Sequence, residues 1–238
     1  NIIGASKPDT VALNIFTTNY EIVKSLVEQN GHLSPRVLIG GLSTRTLYKD
    51  IFTWNSVNNI DVVFGDGELI TTAIVSGTES EPPSDFAPCR RFFNVSSKSC
   101  YFVKDISEVP LNRDFLENEP TNHPLGFKEV SIVTSRGCVF DCAFCTAARS
   151  QNLEMPVRLM SENAIAENLL EIKTRYPGVT HIRILDDLFL VNSASMKKAV
   201  RVFGQFNFKW RAMAHIQTFI GNHVSEVKAL SDSGGSEL

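Results

Sequence analysis

Val130-Ser-Ile-Val-Thr-Ser-Arg-Gly-Cys-Val-Phe-Asp-Cys-Ala-Phe-Cys145 joins a short apolar run to a loop that carries three thiols at intervals of four and three. Val130 to Thr134 reads as a β-strand, and the cysteine loop follows it directly. Thiolates are soft ligands suited to iron-sulfur clusters, which closely spaced cysteines hold. Three ligands for a four-iron cluster leave one iron open to a substrate or cofactor, as an open position distinguishes a catalytic zinc site from a structural one. Two plainer readings stand beside this one. Offsets of four and three place three small apolar residues on one helix face, so the cysteines could be core. A zinc site of Cys138, Cys142 and Cys145 completed by His181 or His215 satisfies the same spacing.

Downstream, Ser161 is placed to cap a helix that runs to Arg175, with Glu162 in its first turn and Pro177-Gly178 beyond its end. A strand from His181 to Leu185 follows, then a helix from Ser193 to Phe206, a strand from Lys209 to Ala214 and a helix from Val224 to Leu230. Repeated βα units with polar residues at the strand ends predict a partial (β/α) barrel over residues 129–238, with its site at the carboxyl ends of the strands.

Upstream, short apolar runs alternate with helical patterns, the signature of βα units around a parallel sheet. Strands are expected at Thr10 to Phe16, Arg36 to Ile39 and Asp61 to Phe64, and helices at Tyr20 to Gln29, Thr44 to Trp54 and Glu68 to Ser76. The strands end in Thr17-Thr18-Asn19, in Gly40-Gly41-Leu42-Ser43 and in Gly65-Asp66-Gly67-Glu68. Small residues there let backbone amides approach a ligand in the carboxyl-end crevice. Residues 1–77 are therefore expected to form a Rossmann-like α/β domain, incomplete at its N-terminus. Prolines 82, 83, 88, 110, 120 and 124 break every run between, so residues 78–128 read as a linker with one hairpin near Phe92 to Val103.

Hydrophobic and charged fractions of 43% and 21% in 238 residues suit one large or two ordinary globular domains. The 26 acidic and 23 basic residues include no basic run, which argues against nucleic acid as a partner. No apolar stretch of about eighteen residues and no signal-peptide pattern occur, so no membrane partner and a cytoplasmic location are expected. Five cysteines, three of them within eight residues, do not resemble a disulfide framework. The chain starts at Asn1 without Met and closes in Ser-Asp-Ser-Gly-Gly-Ser-Glu-Leu238 just after the last helix, and it is expected to be a fragment.

The cysteine loop resembles the radical S-adenosylmethionine (SAM) superfamily, whose motif is Cys-x3-Cys-x-aromatic-Cys, with Phe144 as the aromatic. The resemblance implies that Cys138, Cys142 and Cys145 bind three irons of a 4Fe-4S cluster while SAM chelates the fourth. An electron from a donor such as flavodoxin or ferredoxin would cleave SAM, and the resulting 5'-deoxyadenosyl radical would take hydrogen from a small-molecule substrate. Asp186 and Asp187 then fall where the superfamily places contacts to the SAM amine, with a solvated strand end as the plainer reading. Arg211 and His215 are weaker candidates for SAM or substrate contacts, as are Arg149 and Arg158.

The upstream turns in Val37-Leu-Ile-Gly-Gly-Leu-Ser43 and Asp61-Val-Val-Phe-Gly-Asp-Gly-Glu68 resemble the cobalamin-binding subclass of that superfamily. Gly40, Gly41, Gly65, Gly67 and Glu68 would face the corrin or its nucleotide tail, with Thr17-Thr18-Asn19 completing the rim. No Asp-x-His-x-x-Gly stretch supplies a lower-ligand histidine, and His32 in its Asn-Gly-His turn reads as solvated. The expected function is a cobalamin-dependent radical SAM enzyme, a C-methyltransferase on a small molecule. The alternatives are a ring-forming or rearranging radical SAM enzyme without cobalamin and a non-enzymatic cysteine-zinc module. A methylthiotransferase acting on tRNA is disfavoured, because Cys89 and Cys100 are too few and too late for a second cluster and a basic surface is missing.

Overall fold

Alternating apolar runs and amphipathic segments fold, in the computed structural model, into two α/β units, Asn1–Lys104 and Asp105–Leu238. The structure describes residues 5–30, 36–56, 59–80, 90–93, 101–109, 111–116, 119–153, 155–220 and 224–237. His32, Cys89 and Cys100 lie outside them.

In the first unit β1 (Thr10–Asn14) leads through a 3-10 turn (Thr17–Asn19) into α1 (Tyr20–Asn30). β2 (Arg36–Gly40) leads into α2 (Thr44–Phe52), β3 (Asn59–Val63) into α3 (Glu68–Ser76), and β4 (Arg90–Phe93) comes last. The four strands pair in parallel in chain order. Side chains alternate across the pleat, so each strand serves both faces. Val37, Ile39, Ile60 and Val62 pack with Val23 and Val27 of α1 and Ile51 of α2, whereas Leu38, Val63 and Phe93 pack with Ile70 and Ile74 of α3. Each aliphatic side chain buried in this way contributes roughly 1.5–3 kcal/mol. The helices that follow neighbouring strands β2 and β3 thus leave toward opposite faces of the sheet. β4 extends that sheet beside β3; residues 94–100, over which the expected hairpin would turn, lie outside the described ones.

In the second unit β5 (Thr121–Asn122) and β6 (Lys128–Ile132) form an antiparallel hairpin. There follow β7 (Ser135–Arg136), β8 (Arg158–Leu159), α4 (Glu162–Arg175), β9 (His181–Ile184), α5 (Ser193–Phe203), β10 (Lys209–Arg211), α6 (Val224–Asp232) and β11 (Gly235–Glu237). The sheet runs β11-β10-β9-β6-β5 and is parallel from β6 to β11. Ser161 caps α4 as its sequence position predicts, its hydroxyl accepting from the Ala164 amide at 3.2 Å, and the Asn192 side chain caps α5. α4 packs on α5 and α5 on α6, over a buried layer that includes Val130, Ile132, Ile182, Ile184 and Trp210. No helix among the described residues is long and apolar enough to cross a membrane.

The Ser-Gly stretch after α6 joins the sheet. Its residues add β11 beside β10, because glycine is what the space allows: a Cβ on Gly234 (φ +103) would lie 2.1 Å from the Phe208 carbonyl, and one on Gly235 3.0 Å from the Trp210 ring.

Candidate functional site

β6 and β9 are parallel neighbours, so their carboxyl ends bring Thr134 and Ser135 beside Asp186 and Asp187. The Thr134 amide donates to Asp186 Oδ1 at 2.6 Å, while the Thr134 and Ser135 hydroxyls donate to Oδ2 at 2.6 and 2.7 Å. Asp186 is only 2% exposed, and burial pushes its carboxyl above the usual range although the three donors pull the other way. The Asp187 carboxylate, on the exposed side, accepts from the Gly137 amide at 2.9 Å. Both carboxylates therefore tie the end of β9 to the residues that lead into the cysteine loop. Asp186 lies beneath that loop with both oxygens engaged, and Asp187 is the carboxylate at the rim.

The loop itself is closed at its base by pairing of Ser135 with Leu159 and Arg136 with Arg158. Gly137 leaves β7 at φ +88, the left-handed region that glycine adopts without penalty. Beyond it Cys138, Cys142 and Cys145 are free and half-buried in successive turns, which excludes the reading of a helical, buried cysteine face. The Phe140 amide donates to Cys138 Sγ at 3.4 Å, and the Cys145 amide donates to the Cys142 carbonyl at 3.0 Å. Asp141 accepts from the amide and hydroxyl of Ser150 across the loop, and those bonds hold its carboxyl below the usual range. Phe144 is 93% exposed.

Three soft thiols on one accessible loop, one of them already accepting an N–H···S bond, suit an iron-sulfur cluster in their chemistry. In this conformation they are not gathered around one point: among the described residues no group of three or more His, Cys, Asp or Glu is placed to hold a metal ion. Neither histidine completes a zinc set with them. His181 stacks on Phe127 at the amino end of the sheet (3.7 Å), and His215 stacks on Phe140.

Arg211 is turned away from the carboxyl rim. It stands level with Arg183 and Ser131, and it reaches across β9 to Glu129, two residues nearer the amino ends, in a bidentate pair of 2.7 and 2.8 Å. The sequence gives no sign of this pairing, since the two residues lie 82 positions apart. Arg211's hydrogen bonds hold the Glu129 carboxyl below its usual range against the opposing effect of burial. A depressed carboxylate stabilises the fold above its unfolded value, and that stabilisation is lost as pH falls through the folded value. Acid unfolding followed at Trp210 in a Trp54→Phe background is therefore expected to steepen below about pH 4.3 when Glu129 is intact. Glu129→Gln is expected to flatten it, and superimposable acid limbs would refute this role. Arg149 is exposed on a short turn, its amide donating to the Phe140 carbonyl at 2.9 Å, and Arg158 lies in β8 at the loop's base.

In the first unit the glycine-bearing turns sit at the carboxyl ends of β2 and β3, where α2 and α3 part to opposite faces. Parting loops of this kind open a crevice at a sheet edge. The Thr44 hydroxyl lies between the Gly41 carbonyl (2.7 Å) and the Val63 carbonyl (3.0 Å), fixing one turn to the next strand. Gly41, at φ +114, is demanded by packing, since a Cβ there would lie 2.1 Å from Asn14 Oδ1. Gly40 and Gly67 have open space instead, with no atom nearer than 3.9 Å to the position of an added Cβ. Gly65 takes φ +61, Glu68 begins α3, and Asn19 folds the Thr17–Asn19 turn by accepting from the Phe16 amide at 2.7 Å. Phe16, Leu42 and Leu69 are exposed at this same edge.

This architecture is shared with solved structures of a cobalamin-dependent S-adenosylmethionine radical enzyme. They are those of OxsB: with aqua-cobalamin and S-adenosylmethionine bound, the TM-score is 0.59 at 15% identity, over 99% of this chain and 35% of that one. The apo form gives 0.58 at 14% identity, over 98% and 34%. At such identity the likeness is one of fold. Among curated proteins, the uncharacterized methyltransferase PH0819 of Pyrococcus horikoshii is 24% identical over 251 residues, which cover 98% of this chain. The chain spans about half the length of that relative (51%) and about a third of OxsB. No family model matches.

Proposed function

We propose that this chain is a cobalamin-dependent radical SAM enzyme, a methyltransferase acting on an unactivated carbon of a small molecule. The observation that carries the reading is the three-thiol loop pinned at the carboxyl end of β6 by the two carboxylates just beyond β9. In this reading β6, β9, β10 and β11 begin a partial (β/α) barrel with the site at its carboxyl rim. When bound, a 4Fe-4S cluster would supply the electron that cleaves SAM, drawn from a donor such as flavodoxin or ferredoxin, and cobalamin would supply the methyl group. Cys138, Cys142 and Cys145 would hold the cluster, and Asp186 keeps their loop in place from below. Asp187 presents the rim carboxylate to the SAM amine, and Phe144 offers an exposed ring to the adenosyl group. Gly40 and Gly67, with open space beside them, let the corrin or its tail approach the crevice of the first unit, with Gly65 and Glu68 in the same turn as Gly67. The fold shared with OxsB and the methyltransferase name of the Pyrococcus relative both support this assignment.

Anaerobic reconstitution with iron and sulfide is expected to give about four irons per chain and an EPR signal that SAM perturbs. Cys142→Ala is expected to lose both. Bound zinc with no iron uptake would exclude radical chemistry. Cobalamin should be retained on gel filtration; iron uptake without retention would favour the ring-forming or rearranging alternative.

A further inference from the structure

We propose that His215 is a positioning residue for the cysteine loop, acting through the ring of Phe140; its bearing on the cluster rests on the function proposed above. His215 follows β10 and caps the 3-10 turn Ile216–Phe219, its Nδ1 accepting from the Gln217 amide at 3.2 Å. The imidazole ring lies face to face on Phe140, with centroids 3.8 Å apart and planes 17° from parallel. Phe140 stands midway between Cys138 and Cys142, and its backbone serves the loop in both directions. Its amide donates to Cys138 Sγ at 3.4 Å, and its carbonyl accepts from the Arg149 amide at 2.9 Å.

One ring contact therefore immobilises the residue that supplies the N–H···S bond to the first thiol and closes the loop across to Arg149. The loop is braced from two further strands: at its root by Asp186 and Asp187 beyond β9, and at its middle by His215 beyond β10. A loop held only at its root would leave the Phe140 amide free to swing off the sulfur. Donors to the sulfurs are one of the protein's means of setting a cluster's potential, and an N–H that stabilises the thiolate's charge also stabilises the added electron. His215 thus acts on the first thiol without touching it.

The test measures hydrogen exchange at the Phe140 amide in the iron-free chain, and the reduction potential after reconstitution. His215→Ala is expected to speed exchange by roughly 3- to 10-fold, the factor that loss of one hydrogen bond corresponds to. It is also expected to move the potential to more negative values, and His215→Phe, which keeps a stacking ring, should restore both. Unchanged exchange in His215→Ala, or no restoration by His215→Phe, overturns the proposal. Should His215→Ala fail to fold, Phe140→Leu removes the opposite ring and must speed exchange at position 140 likewise; an unchanged rate again overturns it. Absence of iron uptake by the natural chain overturns the cluster reading while the exchange result still decides the stack. Iron uptake with unchanged exchange overturns the role of His215 alone.

Discussion

Replacing Asp186 by alanine is expected to destabilise the second unit by about 3–5 kcal/mol, because one side chain satisfies three donors that have no water to turn to. The Thr134 amide, the Thr134 hydroxyl and the Ser135 hydroxyl all point at this carboxylate, and Thr134, Ser135 and Asp186 are all buried. Asp186→Asn should cost less, since it keeps one acceptor while its amide N–H₂ meets donors. Urea unfolding followed at Trp210, in a Trp54→Phe background so that only the second unit reports, measures the difference. A loss below about 1 kcal/mol would be too small for three orphaned donors. The pH dependence carries a second signature, opposite in sign to that of Glu129. A carboxyl raised by burial binds its proton more tightly in the folded state, so its contribution is greatest in acid and declines as pH climbs through the raised value. Asp186→Asn is expected to abolish that decline. Because the same bonds fix the start of the cysteine loop, the variant should also lose iron uptake.

Asp61→Ala is expected to cost the first unit a comparable 3–5 kcal/mol, as removal of one partner from a buried ion pair does. Asp61 lies in β3 on the face covered by α3, where alternation calls for an apolar residue, and it is fully buried. Arg91 of β4 grips it through Nε and Nη2 at 2.8 and 2.7 Å, and Arg36 of β2 approaches to 3.6 Å. Glu79 pairs with Arg36 at 2.7 Å and with Arg91 at 3.6 Å, so two acids and two bases bind three adjacent strands. Removing Asp61 takes from Arg91 the buried carboxylate that it grips with two hydrogen bonds. The complementary pair Asp61→Leu with Arg91→Met should recover much of the loss, because matched apolar replacement of a buried ion pair is often neutral. Unfolding monitored at Trp54 in a Trp210→Phe background measures both. A double variant no better than Asp61→Ala would show that the charges hold the strands in a way that packing cannot replace.

Local signals in the chain were legible where they are carried by neighbours in sequence. Glu68 to Ser76 was expected as a helix and forms over those residues, and α4 begins after Ser161 because its hydroxyl reaches the amide three residues on. Strand ends shifted by one to three residues, since hydrogen-bonding partners on other strands decide where a ladder stops. Lys209 to Ala214 was expected as one strand, but β10 ends at Arg211 and pairing resumes only as the bridge of Ala214 with Leu190. β11 went unread in the sequence, because what admits it is distant packing: beside the Trp210 ring the missing side chain of Gly235 is what lets a strand fit.

The sequence by itself determined two parallel α/β arrays, the loop with three thiols at the end of a strand, and the glycine turns at the ends of two others. Each depends on spacing within a few residues, and spacing is written in the chain. Only the tertiary structure decided what the charged and aromatic side chains do. Asp186 turned inward to Thr134 and Ser135, Arg211 paired with Glu129 across β9, and His215 stacked on Phe140. It also separated Gly41, required by the backbone pressed against it, from Gly40 and Gly67, which have room beside them. These contacts join residues dozens of positions apart, and burial and partner geometry, which no local pattern encodes, choose among the several roles open to a carboxylate, a guanidinium or an imidazole.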